Sequence, residues 1–370
     1  MHNVVPGAKA YVATLHSRFL TLGGTVRVDT PVLRLINDGS EGVTGVVVKS
    51  DGHEVEFRAT RGVVLAAGDY ANCPETIARF KGNRYASIGG INPNSDGDGH
   101  RLAEAAGAKL LNMDVTYGPE LRFVPPPGRT FQQLLPTSGL PARLMGRLLP
   151  FVPHFLINAM IRRLLVTWQH PENSLFLDGA ILINREGRRF CDESLWPERE
   201  IAVAAQPGKE CFILLDRSLA EHYGVWPNFI STAPKIAYAY VDDYLRLRPD
   251  IAVQAASLND LARLRKIPPE ALCQTVTQTS QERRSNSQSP FGEGPWTLLG
   301  PAKAYFTTTE GGAAINEQFQ TLDETGFPIR GLYAVGQTGL GGQILWGHGL
   351  HIAWAMTSGR LVGKQLAEIP

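Results

Sequence analysis

The chain has 370 residues, of which 43% are hydrophobic and 19% are charged. A chain of this length and composition can bury one large core or two smaller ones, and we expect two domains in a soluble protein. Its 36 basic and 35 acidic residues give a formal net charge of +1. Because this balance creates no field over the whole chain for phosphate backbones or acidic lipids, nucleic-acid binding is not expected.

The cysteine pattern and the first residues indicate the compartment. Cys73, Cys191, Cys211 and Cys273 are scattered without a C-x-x-C spacing, which favours reduced structural thiols over a disulfide framework or a zinc site. The N-terminal residues show no basic region followed by an apolar stretch, the pattern of a secretory signal. We therefore expect a cytoplasmic protein, and the absence of ligand spacing among histidine, cysteine and carboxylate residues predicts no metal site.

The first predicted elements are a helix and a group of short strands. Apolar residues recur at helical spacing from Ala8 to Leu22, and the glycine pair that follows is a typical helix stop. Short β-branched segments separated by Asp-Gly turn signals then predict an antiparallel meander. These segments are Val26–Val28, Val32–Ile36, Val43–Val48 and Val55–Phe57.

A different kind of strand comes next. The run Arg61–Gly68 is continuously apolar in its middle, which is typical of a strand buried on both faces of a parallel sheet, and its small final residues would let a cofactor approach. A helical segment runs toward Phe80. The Gly97-Asp98-Gly99 turn before an alanine-rich helix would cap that helix and bring backbone close to a ligand, although an ordinary turn and cap explain it equally simply.

The C-terminal region has the order strand, glycine loop, helix. The apolar segment Arg330–Gln337 is followed by the glycine-rich stretch Gly339–Gly349 and by a helical run to Gly363. In α/β proteins this order brings backbone N–H groups and the positive end of a helix against an anionic cofactor. We therefore expect the chain to hold a flavin.

Several of these stretches resemble the FAD-dependent family of fumarate reductase and succinate dehydrogenase flavoproteins, which includes the 3-ketosteroid dehydrogenases. The stretches are Gly62–Gly68, Asp96–Gly99, Ala180–Glu193 and Thr309–Gly363, with a looser likeness at Leu261–Val276. The resemblance implies an α/β fold, with a partial Rossmann-like FAD-binding domain and an inserted α+β capping domain. It places the first part of the FAD-binding domain at 1–167, with an apolar insertion near 140–167, the capping or substrate domain at 168–307, and the second part at 308–370. Within the cap, Ala180–Glu193 is expected to form a two-stranded hairpin.

The resemblance also implies a missing part. Family members begin with a strand, a G-x-G-x-x-G turn and a helix, followed by an acidic residue for the ribose. The sequence has none of these, and Asp96–Gly99 follows no strand. We expect that the first βαβ unit is missing and that the sequence is N-terminally truncated. Such a chain should bind FAD poorly and purify almost colourless, unless a diverged or partner-supplied segment completes the site.

Cofactor contacts follow from the resemblance residue by residue. They are assigned to Val32, Ala67, Gly68, Asp98, Gly336, Gln337, Gly349, Leu350, His351 and Ile352. Val32 is expected beside the adenine, and Gln337 replaces the glutamate that many members use for the ribityl chain. The helix that starts at Gly349 is expected under the pyrimidine ring of the flavin. There, helix-terminal N–H groups would stabilise negative charge on the reduced flavin by about 0.3–2 kcal/mol.

Four residues are candidates for catalysis. Arg199 lies where fumarate-reducing relatives use an arginine as proton donor, and the alternative is a solvated helix arginine. Gly349 offers a backbone donor for a ketone. His348 would act as acid or base near neutral pH, or would be structural in its loop. Tyr240 lies among cap tyrosines, which steroid relatives use for proton transfer, although aromatic residues at this spacing usually pack.

The substrate is less constrained. His170 resembles the histidine of the dicarboxylate enzymes, but Trp346 and Thr308 stand where those enzymes carry an arginine and a histidine. The ketosteroid enzymes match better in electrostatics, although Leu345 and Trp346 replace their tyrosine and proline. The apolar segment 143–168 would line a path for an apolar substrate, touch a membrane surface or form a buried insertion, and its prolines argue against a bilayer span.

We therefore expect an FAD-dependent oxidoreductase acting on CH–CH bonds, which moves hydride between flavin N5 and a carbon near a carbonyl group. The preferred substrate class is a hydrophobic ketone or enone of 3-ketosteroid type. The alternatives are reduction of a small unsaturated carboxylate, as in fumarate reductase, and an inactive truncated fragment. The expected partners are a small hydrophobic substrate and an electron acceptor or donor, while peripheral membrane contact through 143–168 is left open.

Overall fold

The structure is a computed structural model that describes residues 7–129, 131–233, 236–347 and 349–369. The chain divides into two compact units. The first contains the chain up to Arg27 and Leu121–Lys303, and the second contains Val28–Glu120 and the chain from Ala304 onward. The three-part division inferred from the resemblance is a division by function and stays a prediction.

Helices and strands alternate along much of the chain, as expected for an α/β protein. The helices are α1 (Lys9–Thr21), α2 (Pro74–Phe80), α3 (Asp98–Ala105), α4 (Phe131–Leu134), α5 (Gly139–Leu148), α6 (His154–Trp168), α7 (Ser174–Leu177), α8 (Glu198–Ala204), α9 (Arg217–His222), α10 (Val241–Leu247), α11 (Leu258–Arg265), α12 (Pro269–Ser285) and α13 (Leu350–Glu368). The strands are β1 (Val32–Asn37), β2 (Val43–Ser50), β3 (His53–Arg58), β4 (Val63–Leu65), β5 (Gly89–Gly90), β6 (Leu110–Leu111), β7 (Thr116–Tyr117), β8 (Glu120–Phe123), β9 (Ile181–Ile183), β10 (Cys211–Leu215), β11 (Ser231–Ala233), β12 (Ala237–Ala239), β13 (Ala252–Ala255), β14 (Trp296–Phe306), β15 (Thr308–Thr309), β16 (Gly312–Ala313), β17 (Gln320–Leu322) and β18 (Pro328–Ala334).

The antiparallel meander of the second unit is confirmed for its last three segments. β2 pairs with β1 on one side and with β3 on the other, both antiparallel. The strand predicted at Val26–Val28 is wrong, because this stretch is irregular. Val26 is 45% exposed and Val28 is 76% exposed, so both valine side chains face solvent rather than a neighbouring strand, and β-branched residues form strands only where such neighbours exist.

A parallel pair of strands positions the predicted cofactor residues. β18 pairs parallel with β4, with Leu332 opposite Val63 and Ala334 opposite Leu65, and antiparallel with β17. Leu65 and Ala334 are buried in a core that α3 covers with Leu102. Because β4 and β18 run in the same direction and end side by side, the loops that follow them leave the sheet at one edge, where α/β proteins bind ligands.

The first unit contains an antiparallel sheet of different character. Its strands lie in the order β13, β14, β10, β9, and every residue of Cys211–Leu215 is buried. The predicted hairpin at 180–193 is half wrong: β9 forms, but the returning segment makes only an isolated bridge between Ile183 and Arg189. The Glu193 carboxylate accepts the N–H of Leu182 at 2.9 Å, so a side chain occupies a position that a second strand would need.

The apolar segment 139–168 forms α5 and α6. Its exposed apolar side chains exclude a fully buried insertion. They are Leu140, Leu144, Leu148, Phe151, Phe155, Leu156, Met160 and Leu164. Among the described residues no single helix has the length and apolarity to cross a bilayer, whereas the pair Gly139–Phe151 and Phe155–Thr167, bent by 116°, meets those two criteria jointly.

Candidate functional site

The candidate site lies in the second unit, where β4 and β18 end. Gly68 follows β4 with a φ of +84°, and Gly336 follows β18 with a φ of +58°. Both values lie in the left-handed region that favours glycine, so the chain can turn sharply at each strand end. The Thr338 hydroxyl donates to the Gly68 carbonyl at 2.9 Å. This bond ties the two loops together.

A buried polar chain extends the same edge. Asp69 is 5% exposed, and its Oδ2 accepts from the Thr308 hydroxyl at 2.8 Å and from the Thr309 N–H at 3.2 Å. The Gln337 side-chain amide donates to Thr308 Oγ1. Gln337 is therefore held by protein on its nitrogen, and its predicted ribityl contact stays a prediction. The sequence reasoning missed Asp69, although a carboxylate directly after a buried strand end was a usable signal.

The start of α3 packs against this edge. A Cβ on Gly99 would lie 2.8 Å from the Thr338 side chain and 3.0 Å from the Ala67 Cβ, so only glycine lets the helix approach this closely. Asp98, the preceding residue, opens α3, and its carboxylate accepts from Arg101. Val32 packs against the core that includes the end of β4. The structure thus brings the start of α3, which Asp98 opens, against Ala67 just after β4, whereas Val32 lies in the separate β1-β2-β3 sheet.

The glycine loop before α13 is held by side chains from its neighbours. The Asn112 amide donates to the Gly342 carbonyl at 2.9 Å, and the Trp354 indole N–H lies 3.1 Å and 3.2 Å from the carbonyls of Gly336 and Gly339. Gly349 precedes α13 with a φ of +83°, and no atom lies within 4 Å of where its Cβ would be. The helix start is therefore set by backbone conformation and faces open space.

One carboxylate in this region is fully buried. Glu310 is 0% exposed, and its Oε2 accepts from the Leu345 N–H at 2.9 Å. Its Oε1 lies 3.0 Å from Nε2 of His351, in the first turn of α13. Neither of these two atoms makes an aligned hydrogen bond among the described residues. The sequence reasoning placed His351 at the cofactor but missed Glu310, because their contact spans 41 positions of the chain.

Two of the remaining predicted catalytic residues, Tyr240 and Arg199, belong to the first unit. His348 lies outside the described residues. Tyr240 precedes α10 in the first unit and, with Arg162, Asp243 and Arg246, lines a cavity of about 570 Å³. Its backbone N–H donates to the Asp243 carboxylate at 3.1 Å. Its predicted role in proton transfer stays a prediction.

Arg199 also lies in the first unit, at the start of α8. It is 5% exposed, so the alternative of a solvated helix arginine is wrong. Its guanidinium donates to Glu200 Oε1 at 2.9 Å and 2.6 Å, to the Glu193 carbonyl at 3.1 Å and to Asn173 Oδ1 at 2.8 Å, and it lies 4.3 Å from the ring of Phe176. Four of its five N–H groups are therefore engaged by protein, and its catalytic role stays a prediction.

The second-unit cluster fits an anionic cofactor with a flat apolar ring. Ile344, Trp346, Leu350 and Ile352 are 50%, 63%, 47% and 47% exposed around the helix start, which leaves apolar surface for a ring to cover. The Gly349 position leaves space, and a 19-residue helix directs its positive end there. Within the described parts of the chain, no group of three or more histidine, cysteine or carboxylate residues could hold a metal ion.

Comparisons with known proteins agree with this geometry. A family model described as an FAD binding domain matches residues 1–141 and 142–348. A probable fumarate reductase of Shewanella frigidimarina is 24% identical, covering 96% of this chain and 53% of its own length. A 4-oxocyclohexanecarboxylate 2-dehydrogenase of Sinomonas cyclohexanicum is 26% identical, covering 98% of this chain and 61% of its own length. The solved open conformation of a flavocytochrome c3 fumarate reductase shares 21% identity over 100% of this chain and 57% of its own, with a TM-score of 0.64.

These matches establish the family and the fold. The chain spans about half the length of the curated fumarate reductases that it matches, at 53%, 52% and 50%. The mixed α/β fold with an FAD-binding domain is confirmed, whereas a missing βαβ unit and a separate cap stay predictions. Because the family model covers nearly the whole chain, the relationship predicted from the motif stretches is confirmed. The chain belongs to the FAD binding domain family, and FAD is its cofactor.

Proposed function

We propose that the chain acts as an FAD-dependent oxidoreductase on CH–CH bonds, with hydride moving between the cofactor and a carbon near a carbonyl group. The observation that carries the proposal is the family match over residues 1–348, with the predicted cofactor residues of the second unit gathered at one sheet edge and at the start of α13. When bound, FAD supplies the two-electron chemistry, because flavin N5 accepts or gives hydride.

The chain's own residues would hold and polarise the reactants. In this proposal the turns at Gly68 and Gly336 leave room for the cofactor to approach the protein backbone. The hydrogen bonds among Asp69, Thr308 and Gln337 keep those turns in place. The first-turn N–H groups of α13 would stabilise negative charge that develops on the cofactor or on a substrate oxygen near Gly349. The apolar side chains around the helix start would exclude water from the reacting atoms.

The preferred substrate class is a hydrophobic ketone or enone of 3-ketosteroid type. The segment between Arg330 and Arg360 contains no lysine or arginine, and Trp346 and Ile344 offer exposed apolar surface. A dicarboxylate needs cationic partners for its second charge, whereas a neutral ketone needs a donor for one oxygen. One curated relative is named for 4-oxocyclohexanecarboxylate, a cyclic ketone that also carries one carboxylate, so its name supports the ketone part of this choice.

The alternative substrate class is a small unsaturated carboxylate of fumarate type. It is favoured by three curated relatives of this chain, all of which are named as fumarate reductases. The cationic groups that would bind the second carboxylate would then have to come from outside the glycine loop and the start of α13.

Substrate assays would separate these alternatives. The FAD-supplemented chain would be given a 3-ketosteroid or a saturated cyclic ketone with an artificial electron acceptor, and fumarate with a reduced dye. We expect turnover of the ketones, and we expect Trp346→Arg to reduce it about tenfold or more because a charge enters apolar surface. Leu264→Arg, at a leucine that is 58% exposed on α11, is the control. Turnover of fumarate without turnover of any ketone would contradict the preferred class.

We also propose that α5 contacts a membrane surface. Leu140, Leu144 and Leu148 recur at every fourth position, so they share one face of the helix, and they are 79%, 56% and 54% exposed. Arg143 and Arg147 flank that face and are exposed. An apolar face flanked by arginine is the pattern of a helix that lies in an anionic lipid interface.

The composition around α5 supports the same proposal. The sequence has no aspartate or glutamate between Glu120 and Glu172, and six arginines lie in that interval. The near-neutral charge of the whole chain therefore conceals a local excess of positive charge. Each arginine near the surface of an anionic bilayer strengthens binding to that bilayer by about 1 kcal/mol.

Vesicle co-sedimentation tests the membrane contact. The protein should sediment with vesicles containing phosphatidylserine and much less with pure phosphatidylcholine. Leu144→Asp should reduce binding several-fold, while Leu264→Asp, at a leucine of matching exposure (58% against 56%), should not. Equal loss in both variants, or binding that ignores lipid charge, would contradict the proposal.

A further inference from the structure

The buried carboxylate of Glu310 is the least satisfied charge of the candidate site. Glu310 is 0% exposed, and the Leu345 N–H is the one aligned hydrogen-bond donor to its carboxylate among the described residues. A carboxylate removed from water without further partners is costly. Its Oε1 points at the imidazole of His351, 3.0 Å away. A proton on Nε2 would face this carboxylate oxygen across that distance.

With Nε2 facing Glu310, Nδ1 is the ring nitrogen that remains available to exchange a proton. The His351 side chain is 23% exposed, and Nδ1 has no hydrogen-bond partner in the described part of the chain. With Nε2 protonated, Nδ1 of a neutral ring carries the lone pair, and Nδ1 of a charged ring carries the second proton. A carboxylate that orients one imidazole nitrogen so that the other takes and gives a proton is a recurrent catalytic arrangement.

The ring belongs to the helix start at which the proposed function places the reaction. His351 lies in the first turn of α13, between Leu350 and Ile352, which are both 47% exposed. Neither Glu310 nor His351 forms another ion pair among the described residues. The imidazole is therefore a partly exposed group in the first turn of the helix, with Glu310 as its charged neighbour.

We propose that His351 is the acid–base residue for the proton that accompanies hydride transfer, and that Glu310 is its positioning residue. The inference rests on the proposed oxidoreductase function. In the oxidative direction, Nδ1 takes the proton from the carbon next to the carbonyl group. The electron pair of that C–H bond forms the new C=C bond, and the hydride leaves the adjacent carbon with its own pair for the oxidised flavin. Reduction of an enone reverses each step.

Deuterium exchange tests the proton step apart from hydride transfer. The full chain, supplemented with FAD, is incubated with cyclohexanone in D₂O, and loss of the proton next to the carbonyl is followed by NMR. We expect exchange above the uncatalysed rate in the wild type and a loss of about 100-fold in His351→Gln, the scale of general acid–base catalysis. His53→Gln, at an exposed histidine on β3, should exchange at the wild-type rate.

The Glu310→Gln variant tests the positioning role. It keeps the size of the side chain but removes its charge, so the exchange rate should fall about tenfold or more, and Glu310→Asp, which keeps the charge, should restore part of the rate. Far-ultraviolet circular dichroism would show that this variant and His351→Gln are folded. Wild-type exchange in folded Glu310→Gln, or no recovery of exchange in folded Glu310→Asp, would overturn the role of Glu310.

The outcomes separate this inference from the proposed function. Exchange that depends on His351, without reduction of the flavin by any ketone, would support proton transfer by His351 but contradict the proposed function, and with it the coupling of that proton to hydride transfer. Ketone turnover with wild-type exchange in His351→Gln would overturn the inference and leave the proposed function intact. Absence of catalysed exchange in the wild type would also overturn the inference.

Discussion

The buried charges of the two units differ in how completely they are paired. In the first unit, Arg199 engages four N–H groups with Glu200, Glu193 and Asn173. In the second unit, Glu310 has one backbone donor and an imidazole that is not aligned with it. Both sites are removed from water, so both incur the cost of desolvation. The Arg199 guanidinium recovers more of that cost within the protein, because four of its five N–H groups are engaged.

This difference separates a structural network from a functional one. A buried group whose hydrogen bonds are all made inside the protein has little capacity left for a ligand, whereas one with an unused atom is suited to bind or exchange something. By this criterion we predict that Arg199, which the sequence reasoning selected for catalysis, mainly stabilises its unit. The Glu310 and His351 pair is the better candidate for chemistry.

The largest effect is expected for Arg199→Met. Removing the guanidinium leaves the Glu200 carboxylate, which is 0% exposed, without its charge partner, at a cost of about 3–5 kcal/mol. The melting temperature should fall strongly, and Arg199→Met with Glu200→Leu should recover part of the loss because no charge then remains buried. Arg263→Met is the control, since that arginine is 73% exposed and its ion pair is worth less than about 1 kcal/mol. Similar melting temperatures for Arg199→Met and Arg263→Met would contradict the structural assignment.

The same isosteric substitution in both units compares them directly. Glu193 accepts from the Leu182 N–H and from the Arg189 guanidinium at 2.6 Å, so Glu193→Gln should cost about 1.5–3 kcal/mol, the value of hydrogen bonds to a charged group. Glu310→Gln should cost less than about 1 kcal/mol, because it removes a buried charge with few partners. Urea denaturation followed by tryptophan fluorescence gives both values. A larger loss for Glu310→Gln would show that its charge is structural.

The elements around the second-unit site were largely predictable from the sequence, because they depend on local signals. Asp-Gly turns marked the meander, and glycine followed by a long helical pattern marked α13. The site's polar contacts were not predictable. Asp69 meets Thr308 across 239 positions and Glu310 meets His351 across 41, and no local pattern encodes such a pairing.

The sequence predictions that were wrong in other segments also depended on side-chain environments that no local pattern encodes. The valines at 26 and 28 have strand propensity but face solvent, and the 180–193 hairpin lost its second strand because a glutamate side chain binds the β9 backbone. The buried environment of Arg199 was missed because a charged residue in a short helix is usually solvated. Secondary structure followed from turn chemistry and periodicity, whereas side-chain pairing required the folded chain.

The hydrogen-bonded group of Asp69, Thr308 and Gln337 is intermediate in its pairing between Arg199 and Glu310. The Thr308→Val variant measures how much this group contributes to stability. Valine keeps the shape of threonine but leaves Asp69 with the Thr309 N–H alone and the Gln337 amide without its acceptor. We expect a loss of about 1–3 kcal/mol, the cost of unpaired buried polar groups. Thr277→Val, at an exposed α12 threonine whose hydroxyl donates to a backbone carbonyl, should be nearly neutral. Amide hydrogen exchange at the ends of β4 and β18 would report the local loosening.

The smallest expected effect concerns His100, which tests whether an unused nitrogen alone indicates function. His100 is 2% exposed, its Nε2 lies 3.0 Å from the Gly311 carbonyl, and its Nδ1 has no partner among the described residues. Unlike His351 it has almost no access to solvent. Burial lowers the pKa of the His100 imidazole below its usual range, which favours the neutral ring in the folded protein. An unused but inaccessible nitrogen should therefore appear in stability and not in catalysis.

The sign of the effect follows from proton linkage. Below about pH 6.5 the unfolded chain binds a proton at this histidine and the folded chain does not, so the free energy of unfolding should fall with decreasing pH by up to about 1.4 kcal/mol per unit. His100→Gln removes this contribution, and its melting temperature should fall less than that of the wild type between pH 7.5 and 5, while His53→Gln should follow the wild type. Parallel curves for His100→Gln and the wild type would mean that the ring is protonated in the folded state. Access to solvent would then no longer distinguish His100 from His351, and the comparison would rest on pairing alone.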